Sequence, residues 1–155
     1  MTSFEARIHL SVTDDLQLMQ ELLELLHQEE TALLADNFIE IEDLARLKSD
    51  VILKLQQSNV DRLSAFSNIN QNQPTDSFVS WLNNQKDQSL ANVWAELMLL
   101  TGKAKEINTT NGLLLNQLVI RNQRLLSFFK SDSQENLYGP NGLNASKSAR
   151  QRIKG

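Results

Sequence analysis

With 155 residues and an apolar share of 41%, the chain has the material for one packed domain, with a second full core not expected. Cys is absent and His9 and His27 are the only imidazoles, which excludes disulfides, thiolate catalysis and Cys-ligated metal centres and argues against a His-based catalytic metal site, although composition alone leaves an all-carboxylate site open. The formal charge of -4 hides a gradient: residues 1–50 sum to -9, residues 51–100 to -1 and residues 101–155 to +6, a distribution that argues against a wrapping nucleic-acid binder and leaves room for a local anionic contact near the end.

Only five Gly and two Pro occur, too few for a sheet protein that needs repeated tight turns, so helices are expected before any periodicity is counted. The opening residues carry Glu5 and Arg7 and no apolar run of the secretory kind. No window approaches the length of a membrane span. The expectation is a soluble, cytoplasmic chain without membrane insertion.

A first helix is expected to begin near Ser11 or Thr13, with Asp14 and Asp15 at its positive end. Leu16, Met19, Leu23, Leu26, Glu30 and Leu33 recur at alternating steps of three and four, and Leu18, Leu22 and Leu25 widen the stripe into the broad face of a bundle helix. Around residues 35–40 the pattern breaks. Asn37 followed by Glu40 fits a capping box for a second helix, although the segment also reads as a polar interruption of one long helix. The second block, about 38–68, carries Ile41, Leu44, Leu47, Val51, Ile52, Leu55, Leu63 and Phe66, with Ser58 and Asn59 weakening its middle. The polar stretch 69–77, with Pro74, is a connection. Phe78, Val79, Trp81 and Leu82 then suggest a short helix over one end of the bundle.

From Ser89 a long block keeps the three-and-four step through Leu90, Val93, Leu97, Leu100, Ala104, Ile107, Asn111, Leu114, Leu118, Arg121, Leu125 and Phe128. Trp94, Met98, Leu115, Val119, Leu126 and Phe129 form a second strip beside it. Gly102 and Gly112 lie inside, as packing glycines or as a bend that reorganises on binding. Asn108 and Asn111 make a polar belt that either fixes register or faces solvent. After Lys130 the pattern ends, and residues 131–155 are expected to form a flexible tail.

Positive chemical signals are sparse. There is no Glu-x-x-His pair for a di-iron bundle, no strand-to-turn nucleophile, and no phosphate-binding loop or dinucleotide fingerprint. His27, among acidic side chains, reads as part of a solvated face, and Lys147, Arg150, Arg152 and Lys154 as weak surface electrostatics. No enzyme activity, cofactor, metal or nucleic-acid partner is expected. The stronger signal is the apolar strip near the end of the long block, covered by the chain itself, by a second copy, or by a partner helix.

The stretch 107–142 resembles the FlgN-type flagellar export chaperones, which serve the hook-filament junction proteins. Ile107, Asn108, Asn111, Gly112 and Leu114 match the family's Leu/Ile-Asn-x-x-Asn-Gly-x-Leu element, Arg121, Asn122 and Gln123 its Arg-Asn-Gln element, and Leu137, Tyr138, Gly139 and Gly142 its Leu-Tyr-Gly-x-x-Gly end. Trp94 falls where members often carry a tryptophan. The resemblance implies an all-α protein, an elongated antiparallel helical bundle with a long C-terminal helical block and a flexible tail. It implies a chaperone domain over 1–130 whose cargo-binding region, about 107–130, uses Leu114, Leu115, Leu118, Val119, Arg121, Asn122, Leu125, Leu126, Phe128 and Phe129. Leu137, Tyr138 and Gly139 would dock at the cytoplasmic domain of the flagellar export gate. The implied activity is to bind junction proteins, prevent their premature association and deliver them for type III export. The alternative is a non-catalytic coiled-coil or bundle adaptor.

Overall fold

The computed structural model describes residues 2–69 and 77–138, and among them all regular structure is helical: α1 Ser3–Leu34, α2 Phe38–Ile69, α3 Ser77–Asn83 and α4 Ser89–Tyr138. The all-α expectation holds. The chain divides into two compact units, Met1–Leu114 and Leu115–Gly155.

The first helix starts earlier than its apolar stripe suggested. Thr2 and Glu5 form a capping box, the Thr2 Oγ1 accepting from the Glu5 N–H at 3.2 Å and the Glu5 carboxylate accepting from the Thr2 N–H at 2.6 Å. That box supplies the N-terminus sought at Ser11 or Thr13. One buried row of α1 runs Ile8, Val12, Asp15, Met19, Leu22, Leu26, Glu29 and Leu33 in alternating steps of four and three, and buried Leu25 and Ala32 widen it. Glu29 rather than Glu30 occupies the inward position. At the other end Ala35, Asp36 and Asn37 turn the chain through a Schellman motif: the Asn37 N–H donates to the Ala32 carbonyl at 3.0 Å and the Asp36 N–H to that of Leu33 at 3.3 Å. Asp36 takes the left-handed conformation, φ 54, which short polar side chains tolerate better than most. Asn37 caps α2 by accepting from the Glu40 N–H at 3.3 Å, so the segment ends one helix and starts the next.

Across the α1–α2 hairpin the helices run antiparallel, because Asp15 meets Arg62 while Glu29 meets Lys48. Asp15 and Arg62 are each only 3% exposed and their Oδ2 and Nη1 lie 2.5 Å apart. The guanidinium also donates to Ser11 and Asn59, at 3.2 Å each, and stacks 5.4 Å from the Trp94 ring. Leu47, expected in the stripe, is exposed, and Arg62 rather than Leu63 takes the buried position. The inward row is Leu44, Lys48, Val51, Leu55, Ser58 and Arg62, a heptad-like row in which half the members are polar.

Along α4 the partners shift from Arg62 beside Trp94 to Lys48 beside Asn108 and Leu26 beside Asn111, so within the first unit α4 runs antiparallel to α2 and parallel to α1. Leu90, Leu97 and Ala104 are buried at seven-residue steps. The short α3 closes the end of this bundle as expected: Phe78 and Leu82 are buried, and Phe4, Phe66, Trp81 and Trp94 surround them in edge-to-face and tilted pairs with centroids 5.1–5.8 Å apart. Just ahead of α4, Asp87 accepts from the Ser89 N–H at 2.9 Å, and that bond together with the Ser89 hydroxyl holds its carboxyl below the usual carboxylate range. A folded-state value below the unfolded one means that this contact supports the native state above the unfolded pKa and fades as pH falls through the folded one.

α4 continues through residues 131–138, past the point where its apolar pattern stops. Between Gly112 and Gly139 the sequence holds no Gly or Pro. The rest of the expected tail, 139–155, and the connection 70–76 lie outside the described residues.

The buried pair generates a direct test. Arg62→Met strands a buried carboxylate and is expected to cost about 3–5 kcal/mol, whereas Asp15→Leu with Arg62→Met should recover most of that loss. Urea unfolding of the full chain measures both; a single replacement costing under about 1 kcal/mol would show that water reaches the pair.

Candidate partner-binding surface

Within the first unit α4 is held by a polar clasp. Asn111, 2% exposed, donates through Nδ2 to the Leu26 carbonyl and to Glu29 Oε1, both at 2.9 Å. Lys48 donates to both oxygens of the Glu29 carboxylate, at 3.0 and 2.8 Å, and to Asn108 Oδ1 at 3.3 Å. One carboxylate on α1 thus ties a lysine of α2 and an amide of α4 together. The polar belt read at Asn108 and Asn111 sets the register of α4 against the bundle, as a buried amide in a heptad seam does elsewhere. The pairing of Glu29 with Lys48 was not read from spacing; the signal available was the inward phase of the α1 stripe once its true start is known.

Beyond the clasp the side chains are predominantly exposed. Of the residues expected to meet a partner, Leu118 is buried, Leu114 and Asn122 are half-buried, and Leu115, Val119, Arg121, Leu125, Leu126, Phe128 and Phe129 are exposed. Leu125, Leu126, Phe128 and Phe129 stand 48%, 60%, 66% and 62% exposed, with the two rings in edge contact at 6.0 Å. Large apolar groups so uncovered mark an interaction surface on a folded protein. Residues 115–130 contain Arg121, Arg124 and Lys130 and no carboxylate, so this surface is cationic as well as apolar. Leu137 and Tyr138 form the end of α4; their side chains, and all of Gly139, lie outside the described residues.

Catalytic alternatives find little here. His27 is exposed, as expected of a solvated face, and the His9 ring lies with Nδ1 3.4 Å from the Thr13 hydroxyl. Among the described residues no group of three or more His, Cys, Asp or Glu is placed to hold a metal ion, and no helix is long and apolar enough to cross a membrane.

Comparison with known proteins agrees with this picture. The family described as FlgN protein matches residues 1–146. The flagella synthesis protein FlgN of Proteus mirabilis is 42% identical over 53 residues, 34% of this chain and 36% of that protein. The flagella synthesis protein FlgN of Yersinia enterocolitica is 25% identical over 138 residues, 88% of each chain. No solved structure matches significantly.

Gly102 and Gly112 are not packing glycines: both are exposed, and a Cβ on either would meet nothing within 4 Å. Gly112→Ala is therefore expected to raise stability by up to about 1 kcal/mol, the helix-propensity gain alone. Thermal unfolding measures it, and a lowered Tm would mean that the glycine backbone holds a conformation alanine resists.

Proposed function

This chain belongs to the FlgN family of flagellar export chaperones, and we propose that it binds the hook-filament junction proteins in the cytoplasm, keeps them from associating prematurely and delivers them to the flagellar type III export gate. The observation that carries this reading is the row of exposed Leu125, Leu126, Phe128 and Phe129 within the stretch that resembles the family's cargo-binding region. A cargo helix laid on that row would bury its own self-association face, each large apolar side chain contributing roughly 1.5–3 kcal/mol when fully covered. Arg124 and Lys130 beside the row favour a cargo helix with acidic flanks. Within this proposal Leu118 supports the helix rather than touching cargo directly, since it is already buried without cargo.

No bond is made or broken in this function. Protection requires enough covered area to outcompete cargo self-association, and release requires that the area stay modest. The energy of translocation comes from the export machinery, because the sequence holds no phosphate-binding loop. Leu137, Tyr138 and Gly139 serve as the gate contact, Tyr138 supplying a ring with a polar tip that can anchor a small interface.

Two measurements test this. Leu126→Ala, Phe128→Ala and Phe129→Ala, made singly at exposed positions, should leave helicity intact and weaken binding of a junction protein about tenfold or more at the strongest site; unchanged affinity in all three removes the assignment. Tyr138→Ala should keep cargo affinity while weakening capture of the loaded complex by the gate's cytoplasmic domain. Loss of cargo binding with normal gate binding would move Tyr138 into the cargo site.

A further inference from the structure

The turn between α1 and α2 carries a second exposed apolar cluster. Leu34, Phe38 and Ile39 stand 68%, 52% and 78% exposed around it. The backbone beneath them is fixed by the Schellman bonds of Asp36 and Asn37 and by the Asn37 cap, so these side chains are presented on a rigid support. Residues 30–47 hold five carboxylates, Glu30, Asp36, Glu40, Glu42 and Asp43, against one cation, Arg46, which pairs with Asp43 at 2.5 Å. Just beyond, Lys48 spends its charge on Glu29. The hairpin tip is an apolar knob in an acidic collar.

Such a knob fits a partner with apolar groups flanked by cations and no carboxylate. The protein itself carries that surface on residues 115–130, where Leu125, Leu126, Phe128 and Phe129 stand exposed beside Arg124 and Lys130. We propose that a second copy of this chain is the occupant: the acidic apolar tip of one copy docks on the cationic apolar face of α4 of another. Opposite charges steer the two surfaces together, whereas tip against tip and face against face are both repulsive. That selects the unlike pairing over a symmetric contact of one patch with itself. An anionic membrane is disfavoured for the tip by its carboxylates. A helix turn seated on one helix face covers less than a standard interface, so the association is weak and reversible. Because the same α4 residues are the cargo surface proposed above, self-association and cargo binding exclude each other; this second half rests on that reading, and the first does not.

Sedimentation equilibrium of the full chain without cargo tests the association. The mean mass should rise above the 17.6 kDa monomer with concentration and fall back when salt is added. Ile39→Ser, and separately Glu40→Lys with Glu42→Lys, should weaken association at least tenfold, as should Arg124→Glu with Lys130→Glu on the other side. Mixing the two charge-reversed proteins should restore association between unlike chains. A chain that stays monomeric at all concentrations, tip variants that associate like the parent, or a failed restoration would each overturn the proposal. Binding of the parent chain to phosphatidylglycerol vesicles that Ile39→Ser abolishes would assign the tip to a membrane instead. In a second arm, a junction protein should lower the self-associated fraction of the parent while binding Ile39→Ser at undiminished affinity. Cargo that binds without dissociating the copies overturns the exclusion, and cargo that does not bind at all overturns the function proposed above while leaving the self-association to be read from the first arm.

Discussion

The seam between α1 and α2 holds two carboxylates, Asp15 and Glu29, and each is met by a cation on α2 at the same two-heptad interval, Arg62 and Lys48. Apolar heptads alone specify a seam only to within a slip of one repeat, since Leu on Leu is much the same in either register. A one-heptad slip here would place Asp15 against Leu55 or Ile69 and Glu29 against Ile41 or Leu55. Two buried carboxylates would then lose their partners, a penalty of several kcal/mol each. The pairs contribute little net stability over an apolar seam, but they make the alternatives expensive. α4 depends on the same device, because the Glu29 carboxylate that selects Lys48 also receives Asn111.

That dependence divides α4 by packing. Up to Asn111 its inward residues recur at sevens and are spent on the bundle. Past Leu118 the same periodicity continues in sequence, yet its large side chains lie open. A pattern built for burial and left unburied is a local inconsistency of the kind that proteins retain at functional surfaces. The clasp at Asn111 closes the packed part of α4 within the first unit.

Legibility in the sequence followed side-chain chemistry closely. The helices were readable wherever aliphatic residues marked the inward face, as in the start of α4 at Ser89 and its stripe through Leu118. Reading went astray where polar residues held that face. Ser58 and Asn59 looked like a weak middle of α2 and Arg62 drew no reading, because periodicity treats every polar residue as outward, yet Arg62 is buried on Asp15 with Asn59 as a further acceptor. Asp15 was read as a helix-start charge for the same reason, and with it the true start of α1 was displaced by about three turns. The Thr2–Glu5 box went unread because Ile8 and Val12, set among polar residues, were not counted as the start of the stripe. Burial of a charge is a property of the pair across helices, and a single sequence does not display the pair. For the surface the limit is different: apolar spacing identified the row from Leu115 to Phe129 without separating Leu118, which is buried, from its neighbours, which are open.

Under the function proposed above, the exposed apolar row carries a cost in the free state, because whatever covers it competes with cargo. Mass action sets the terms: a competitor at concentration c with dissociation constant K reduces apparent cargo affinity by the factor 1 + c/K. A tight cover would therefore tax every cargo molecule, while no cover leaves the row open to any apolar surface it meets. A weak cover that relies on charge resolves the conflict, since electrostatic steering discriminates against wrong partners more than it deepens binding. The charge gradient along this chain supplies the ingredients, with carboxylates concentrated in its first third and cations around the exposed row. Cargo with acidic flanks and a longer apolar face would use the same cations and bury more of the row, and so displace the weaker occupant without any added energy source.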